Sequence, residues 1–294
     1  MQWIVQAGLV LVLFVSGTAQ AAPVLVDGAW LERQLASESV VLVDMSDDDT
    51  QYTRFHLPGA VRLDYSSLLK PAPRGKPKPR LSDGELIKLL GQLGIRRDSH
   101  VVVYDDMGGL HAGRLFLELE RLGHPQVSVL NGGLVQWILD GRKVDNRPVV
   151  RKPVAYNAPT ERRDNLAALD DVLQARTRGT TLLDVRTLEE YVGDPKQPRS
   201  GHVPGARFWP WEQAVRMDDG FVLRDAQALR ASLAAVGVRE TTQPVVLYCQ
   251  SGHRASQTYL TLRHLGFENV RLHAGSMLEY SQDPNAPLTR GNAP

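Results

Sequence analysis

The chain has 294 residues, 43% hydrophobic and 23% charged, with 34 Lys and Arg against 33 Asp and Glu for a formal net charge of +1. That balance excludes nucleic-acid or membrane-surface binding driven by bulk charge, and an ordinary globular composition lets each half bury a core of its own. The length suits two domains of about 130–140 residues, and a lone cysteine excludes an internal disulfide.

Residues 1–21 read as a signal peptide. Ile4 to Val15 is mostly apolar, and Ala19-Gln20-Ala21 gives the small-residue spacing of a cleavage site before Ala22. The apolar stretch is short for a membrane span, and its leading residues carry no Lys or Arg, so an uncleaved anchor is the alternative. Cleavage implies an exported, periplasmic protein without stable membrane association. In an oxidising compartment a lone thiol is a liability unless it is buried or used.

Residues 22–147 form the first expected domain. Apolar runs at Val40–Asp44, Val101–Asp105 and Val127–Leu130 read as strands, and Leu86 to Leu93 and Gly113 to Leu122 show helical spacing. Pro71 to Arg80 is rich in Pro, Lys and Arg, and reads as a solvated loop rather than a patch for an anionic partner. Residues 148–165 lack periodicity and form the expected linker.

Residues 166–294 repeat the order of the first half, with Thr181–Asp184, Val245–Cys249 and Val270–Gly275 as the apolar runs. Ala226 to Val236 and Ala255 to Leu265 read as helices. His56-Leu57-Pro58-Gly59-Ala60 returns as His202-Val203-Pro204-Gly205-Ala206, at offsets of 184 − 44 = 140, 204 − 58 = 146 and 249 − 105 = 144 around it. Matched segments in the same order indicate duplication. The predicted fold class is α/β: two domains, each a parallel sheet with helices on both faces. The tail from Asp283 to Pro294 is expected to be extended and partly disordered.

Cys249 ends an apolar strand and precedes a helix, in the run Cys249-Gln250-Ser251-Gly252-His253-Arg254. Backbone N–H groups and a positive helix end at such a turn favour a thiolate. Gly252 permits the tight curl, and Arg254 adds a positive charge at the far end. The alternative is a small hydrophobe in the core.

This loop, Asp184-Val185-Arg186, the Gly201-to-Ala206 segment and the duplication resemble the tandem rhodanese family of sulfurtransferases over nearly all of the mature chain. Asn131-Gly132-Gly133 with Trp137, and Gly275-Ser276, are weaker marks. The resemblance implies a persulfide on Cys249 as the catalytic residue, with a small anionic sulfur donor (thiosulfate or 3-mercaptopyruvate) and cyanide or a thiol as acceptor. It also implies an active cleft between the domains, and a silent first domain because Asp105 stands where the cysteine would be. Arg186 is the expected contact for the donor's anionic end, unless it pairs with Glu189 or Glu190 on the surface. The amides of Gln250, Ser251, Gly252, His253 and Arg254 are the expected cradle for anionic sulfur, with Arg254 either meeting the donor or bracing the loop. No metal or organic cofactor is called for.

His253 faces either the pocket mouth or solvent, and Ser251 bonds either a leaving group or the loop. His56, His202, Asp44 and Asp184 recur in both halves, which favours structural roles. Trp209 and Trp211 line either a pocket or the core. By the same resemblance, the basic pair His253-Arg254 after the neutral Gln250-Ser251-Gly252 tilts the expected donor toward thiosulfate. Two other readings remain at this point. One is a persulfide carrier that does not turn over. The other is a cysteine-dependent phosphatase or arsenate reductase, whose loop has five residues between Cys and Arg where this chain has four.

Overall fold

The computed structural model describes residues 22–294; the expected signal peptide, residues 1–21, lies outside the described residues. The first sheet contains β1 (Leu25–Val26), β2 (Val40–Asp44), β3 (Val61–Arg62), β4 (His100–Tyr104) and β5 (Val127–Leu130), in the order β1-β5-β4-β2-β3. In the second half, β6 (Thr181–Asp184) and β7 (Arg207–Phe208) are followed by a small antiparallel ribbon of β8 (Val215–Arg216) and β9 (Val222–Leu223). β10 (Val245–Tyr248) and β11 (Val270–Leu272) complete a sheet ordered β11-β10-β6-β7. Every pairing in the two larger sheets is parallel. β4 and β10 lie inside their sheets with helices on both sides, which is why they read as unbroken apolar runs.

The first-half helices are α1 (Gly28–Gln34), α2 (Asp49–Arg54), α3 (Asp83–Gln92), α4 (Ala112–Arg121) and α5 (Gly133–Leu139). The second half has α6 (Leu169–Leu173), α7 (Leu188–Val192), α8 (Ala226–Ala235), α9 (His253–His264) and α10 (Ser276–Tyr280). α3, α4, α8 and α9 are the four helices expected from periodicity. α3 begins before its apolar face because Ser82 and Glu85 form a capping box.

The recurring residues make the same bonds twice. His56 stacks on Tyr52 with centroids 4.0 Å apart, and His202 stacks on Tyr191 at 3.7 Å. Each histidine Nδ1 meets the carbonyl of its tyrosine, at 2.7 and 2.8 Å. Each tyrosine hydroxyl donates to the alanine carbonyl of the Pro-Gly-Ala loop, at 2.8 Å in both halves. These histidines are buried scaffold, as the repeat predicts.

The halves meet along α4 and α9. Gly113 of α4 lies so close that a Cβ there would stand 2.7 Å from the Ser256 carbonyl oxygen. Tyr259 of α9 donates to Glu120 of α4 at 2.7 Å, and one hydrophobic cluster contains Phe116, Leu117, Tyr259 and Leu260 from both helices. The segment 148–165 is an ordered strap across this joint. Tyr156 is buried, Val154 N–H donates to Gly91 O at 2.9 Å, and Asn165 Nδ2 reaches Leu117 O and Tyr259 Oη at 3.0 and 3.1 Å. Trp209 and Trp211 pack into the core.

The tail departs from expectation. It is extended, but Ala286 is buried, Thr289 and His202 exchange backbone bonds of 2.9 Å, and Gly291 N–H donates to Val192 O at 2.9 Å. Its order comes from pairing with a distant loop, which a lack of local periodicity does not reveal. Among the described residues no helix is long and apolar enough to cross a membrane.

Candidate active site

Cys249 follows directly on β10 and is gripped from the side by α10. Its N–H donates to Ser276 Oγ at 3.1 Å, and its carbonyl accepts from Met277 N–H at 3.0 Å. Ser276 holds this position at φ 50, in the left-handed region that non-glycine residues rarely occupy. The Cys249 Sγ accepts a hydrogen bond from Gly252 N–H at 3.1 Å. Gly252 has φ 83, and a Cβ there would meet Ala274 O at 2.7 Å, so only glycine fits the curl.

Of the amides from Gln250 to Arg254 expected to cradle anionic sulfur, Gly252 N–H is the one bonded to the Cys249 sulfur itself, and α9 begins at His253, so the turn between strand and helix spans only residues 249–252. The thiol is also covered: Cys249 is 1% exposed and belongs to the hydrophobic cluster that includes Val185 and Ala255. Gln250 and Ser251 beside it are exposed.

Arg254 is not an open positive charge. Both its Nη atoms bond Glu190 of α7, at 2.6 and 2.8 Å. Burial pushes the Glu190 carboxyl up, but the Arg254 and Thr187 hydrogen bonds outweigh it, so the net shift is below the ordinary glutamate range. Arg254 braces the loop, one of its two expected roles.

Arg186 pairs with neither Glu189 nor Glu190. It is 4% exposed, with Nε 2.9 Å from Asp184 Oδ1, and Nη2 donating to Asp184 Oδ2 and to Gly201 O at 2.8 Å. Much of its donor capacity is thus spent within the fold, which corrects the expectation of a guanidinium free for the sulfur donor. It still borders a cavity of about 320 Å³, together with Gln250, Arg199, Ser200, Met277 and Ser281.

His253 faces neither solvent nor the pocket mouth alone; it turns into the first domain. Its ring lies 4.3 Å from Tyr65 and 4.7 Å from His111, centroid to centroid. Burial, aided by the nearby His111, Arg114 and Arg254 charges, pushes its pKa down to about 3. Tyr65 is pushed up to about 12, chiefly by burial, with Arg114 opposing and Cys249 adding to the rise. Tyr65, His111, Arg114, Glu190 and Ser276 are site residues that sequence reasoning missed as such. Only Ser276 carried a signal, through Gly275-Ser276.

The first domain holds a matching turn with a different occupant. Asp105 Oδ1 accepts from Met107 N–H and Gly109 N–H at 3.0 and 2.9 Å. Its Oδ2 accepts from His111 N–H and Ala112 N–H at 2.8 and 3.0 Å. The turn that could cradle an anion is filled by the chain's own carboxylate.

The rhodanese-like domain family matches this chain twice, over residues 27–140 and 168–283. The chain belongs to the rhodanese family. This rhodanese is 33% identical over 271 residues to a thiosulfate sulfurtransferase of Pseudomonas aeruginosa, covering 90% of this chain and 97% of that one. It is 30% identical over 283 residues to the sulfur carrier protein TtuD of Thermus thermophilus, with coverages of 91% and 97%. Among solved structures, the 3-mercaptopyruvate sulfotransferase SseA of Escherichia coli superposes with a TM-score of 0.72 at 25% identity, over 87% of this chain and 99% of that one. An ergothioneine biosynthesis enzyme from Chlorobium limicola shares the fold, with a TM-score of 0.81 at 22% identity over 91% of this chain and 70% of that one.

Proposed function

We propose that this rhodanese is a sulfurtransferase that carries sulfane sulfur on Cys249, taking it from a small anionic donor and passing it to a thiol or to cyanide. The observation that carries the reading is the Cys249 sulfur accepting the Gly252 N–H at the carboxyl end of β10, where α/β sheets collect ligands. The named relatives support the same activity class.

In the first step the Cys249 thiolate attacks the outer sulfur of thiosulfate. A new S–S bond forms, the donor S–S bond breaks, and its electron pair leaves on sulfite. With 3-mercaptopyruvate the C–S bond breaks instead, and the pair and a proton complete pyruvate. Gly252 N–H steadies the negative sulfur during both halves of the cycle. In the second step a thiolate or cyanide attacks the outer sulfur of the persulfide and returns Cys249 as thiolate, so the kinetics are ping-pong. The cavity beside Gln250 and Arg186 is the proposed entry for the donor; thiosulfate is the preferred donor in this reading. The mature chain is proposed to act after export, with residues 1–21 removed.

Intact mass after incubation with thiosulfate or 3-mercaptopyruvate tests the proposal. Wild type is expected to gain one sulfur, and Cys249→Ser none; equal behaviour of the two proteins with both donors refutes it. A second reading, a persulfide carrier that waits for a protein partner, draws on the buried thiol and on the carrier relative. Multiple turnovers with cyanide select the enzyme, and a single loading without turnover selects the carrier. The phosphatase reading loses its support, because Arg254 is bound to Glu190 and unavailable to an oxyanion.

A further inference from the structure

We infer that the first domain positions the sulfur-binding turn of the second through a stack of three rings, with Tyr65 pressing His253 into place. The inference rests on the reading of Cys249 as the sulfur carrier. Tyr65 opens the short 3-10 turn Tyr65–Leu68, His111 precedes α4, and His253 is the first residue of α9. Their centroids lie 4.3 Å (Tyr65–His253), 4.7 Å (His111–His253) and 5.0 Å (Tyr65–His111) apart, and the two histidine planes are 18° from parallel.

Two members of the stack are fixed independently of the third. His111 is held by its N–H on Asp105 Oδ2 at 2.8 Å and by its Nδ1 on Met45 O at 2.9 Å. Tyr65 is held by the first-domain turn that Ser67 N–H closes on Asp64 O at 3.0 Å, and it packs against the main hydrophobic cluster. His253 differs, because its Nε2 is buried without a hydrogen-bond partner. Contact with the two first-domain rings is therefore what orients it.

The residue before it is Gly252, whose N–H is on the sulfur at 3.1 Å. A left-handed glycine has soft torsions and adopts whatever its neighbours impose. Seating the His253 ring adds a restraint to the Gly252–His253 junction, where Gly252 O already accepts from Ser256 Oγ at 2.8 Å, and so limits the swing of the adjoining peptide whose N–H meets negative sulfur. The filled Asp105 turn then has a use in the working protein: it sets His111, and through His111 one wall of the stack. The other charged groups around the turn are Arg254, paired with Glu190, and Glu212, which acts on Arg254. Neither Glu190 nor Glu212 is part of the stack.

Tyr65 is thus a positioning residue, and its removal is expected to slow sulfur uptake without weakening donor binding, since a preorganised donor group acts on the reacting state. The test compares Tyr65→Ala, Tyr65→Leu and Tyr65→Phe in the full chain. Hydrogen exchange of the peptide spanning Cys249 to Ser256 reads the clamp directly. Loss of ring stacking is expected to speed its exchange about three- to tenfold in Tyr65→Ala and Tyr65→Leu, while Tyr65→Phe restores the wild-type rate. In single-turnover sulfur uptake, the two ring-less variants are expected to lose about tenfold at saturating donor with the half-saturating donor concentration within about twofold of wild type, and Tyr65→Phe to recover the rate.

Unchanged exchange in the ring-less variants overturns the inference, as does a Tyr65→Phe variant as fast-exchanging as Tyr65→Ala. Tyr65→Leu keeps side-chain bulk and decides the matter if Tyr65→Ala fails to fold. A wild type that takes up no sulfur refutes the proposed function instead, while the exchange comparison still decides the clamp.

Discussion

Glu190 holds Arg254 in a two-pronged grip, with hydrogen bonds of 2.6 and 2.8 Å across the gap between α7 and α9. The pair ties the helix that follows the cysteine turn to the helix that follows Arg186. Because the Glu190 carboxyl titrates below its ordinary value of 4.5, its stabilising effect is complete above that pH and is lost as pH falls through the lower folded value. Glu190→Gln is expected to lower Tm at pH 7 by about 2–4 °C, with the gap from wild type closing toward pH 3. Melting curves across that range check it, and a gap that persists at pH 3 contradicts the assignment.

Asp105 is predicted to matter chiefly for stability. Its carboxylate satisfies four backbone N–H groups in a site 1% exposed. Asp105→Ala strands those donors and is expected to cost about 2–4 kcal/mol, and Asp105→Asn less. Urea unfolding measures both; a loss below about 0.5 kcal/mol for the alanine variant would mean that water replaces the carboxylate without penalty.

Gly113→Ala sets helix propensity against packing. Alanine is the better helix former by about 1 kcal/mol. Against that, the new Cβ would meet the Ser256 carbonyl oxygen at 2.7 Å and carbon at 3.0 Å, backbone atoms that cannot swing aside. Overpacking of this kind costs about 1–3 kcal/mol. The expected result is a net loss of stability, visible in denaturant midpoints, and a more stable variant would show that α4 and α9 slide freely.

His253 should make the protein acid-sensitive. Burial, with the neighbouring positive groups, holds its pKa at about 3, whereas an unfolded histidine titrates near 6.5. Between those values the unfolded chain binds the proton and the folded chain does not, so stability rises with pH. His124, pushed down to about 4 mainly by burial, adds a slope of the same sign. His253→Phe keeps a flat ring and removes one titration, and is expected to flatten the dependence of unfolding free energy on pH between 4 and 6.5. An unaltered slope would place the charge elsewhere.

The strands, the duplication and the cysteine turn were legible because each is local. Runs such as Val101-Val102-Val103-Tyr104 and Val245-Val246-Leu247-Tyr248 announce doubly covered strands, and Gly252 announces a curl. What escaped is pairing across distance. Nothing near Tyr65 points to a partner 253 − 65 = 188 positions later, and nothing near Arg254 names Glu190, 254 − 190 = 64 positions earlier. The degree of cover over Cys249 escaped too, since it depends on how two complete domains close on each other. Arg186 shows the same limit: a run of Asp-Val-Arg does not say that the arginine doubles back onto its own aspartate.

The final residues have a practical bearing. Thr289 lies against Gly201, where an added Cβ would come within 2.1 Å of its carbonyl oxygen, and Ala293 O meets His202 Nε2 at 3.0 Å. Gly201 in turn receives the Arg186 guanidinium. Cutting the chain back through Thr289 and Ala293 would therefore remove the backing of the Gly201 loop and disturb, from behind, the cavity proposed here for the donor.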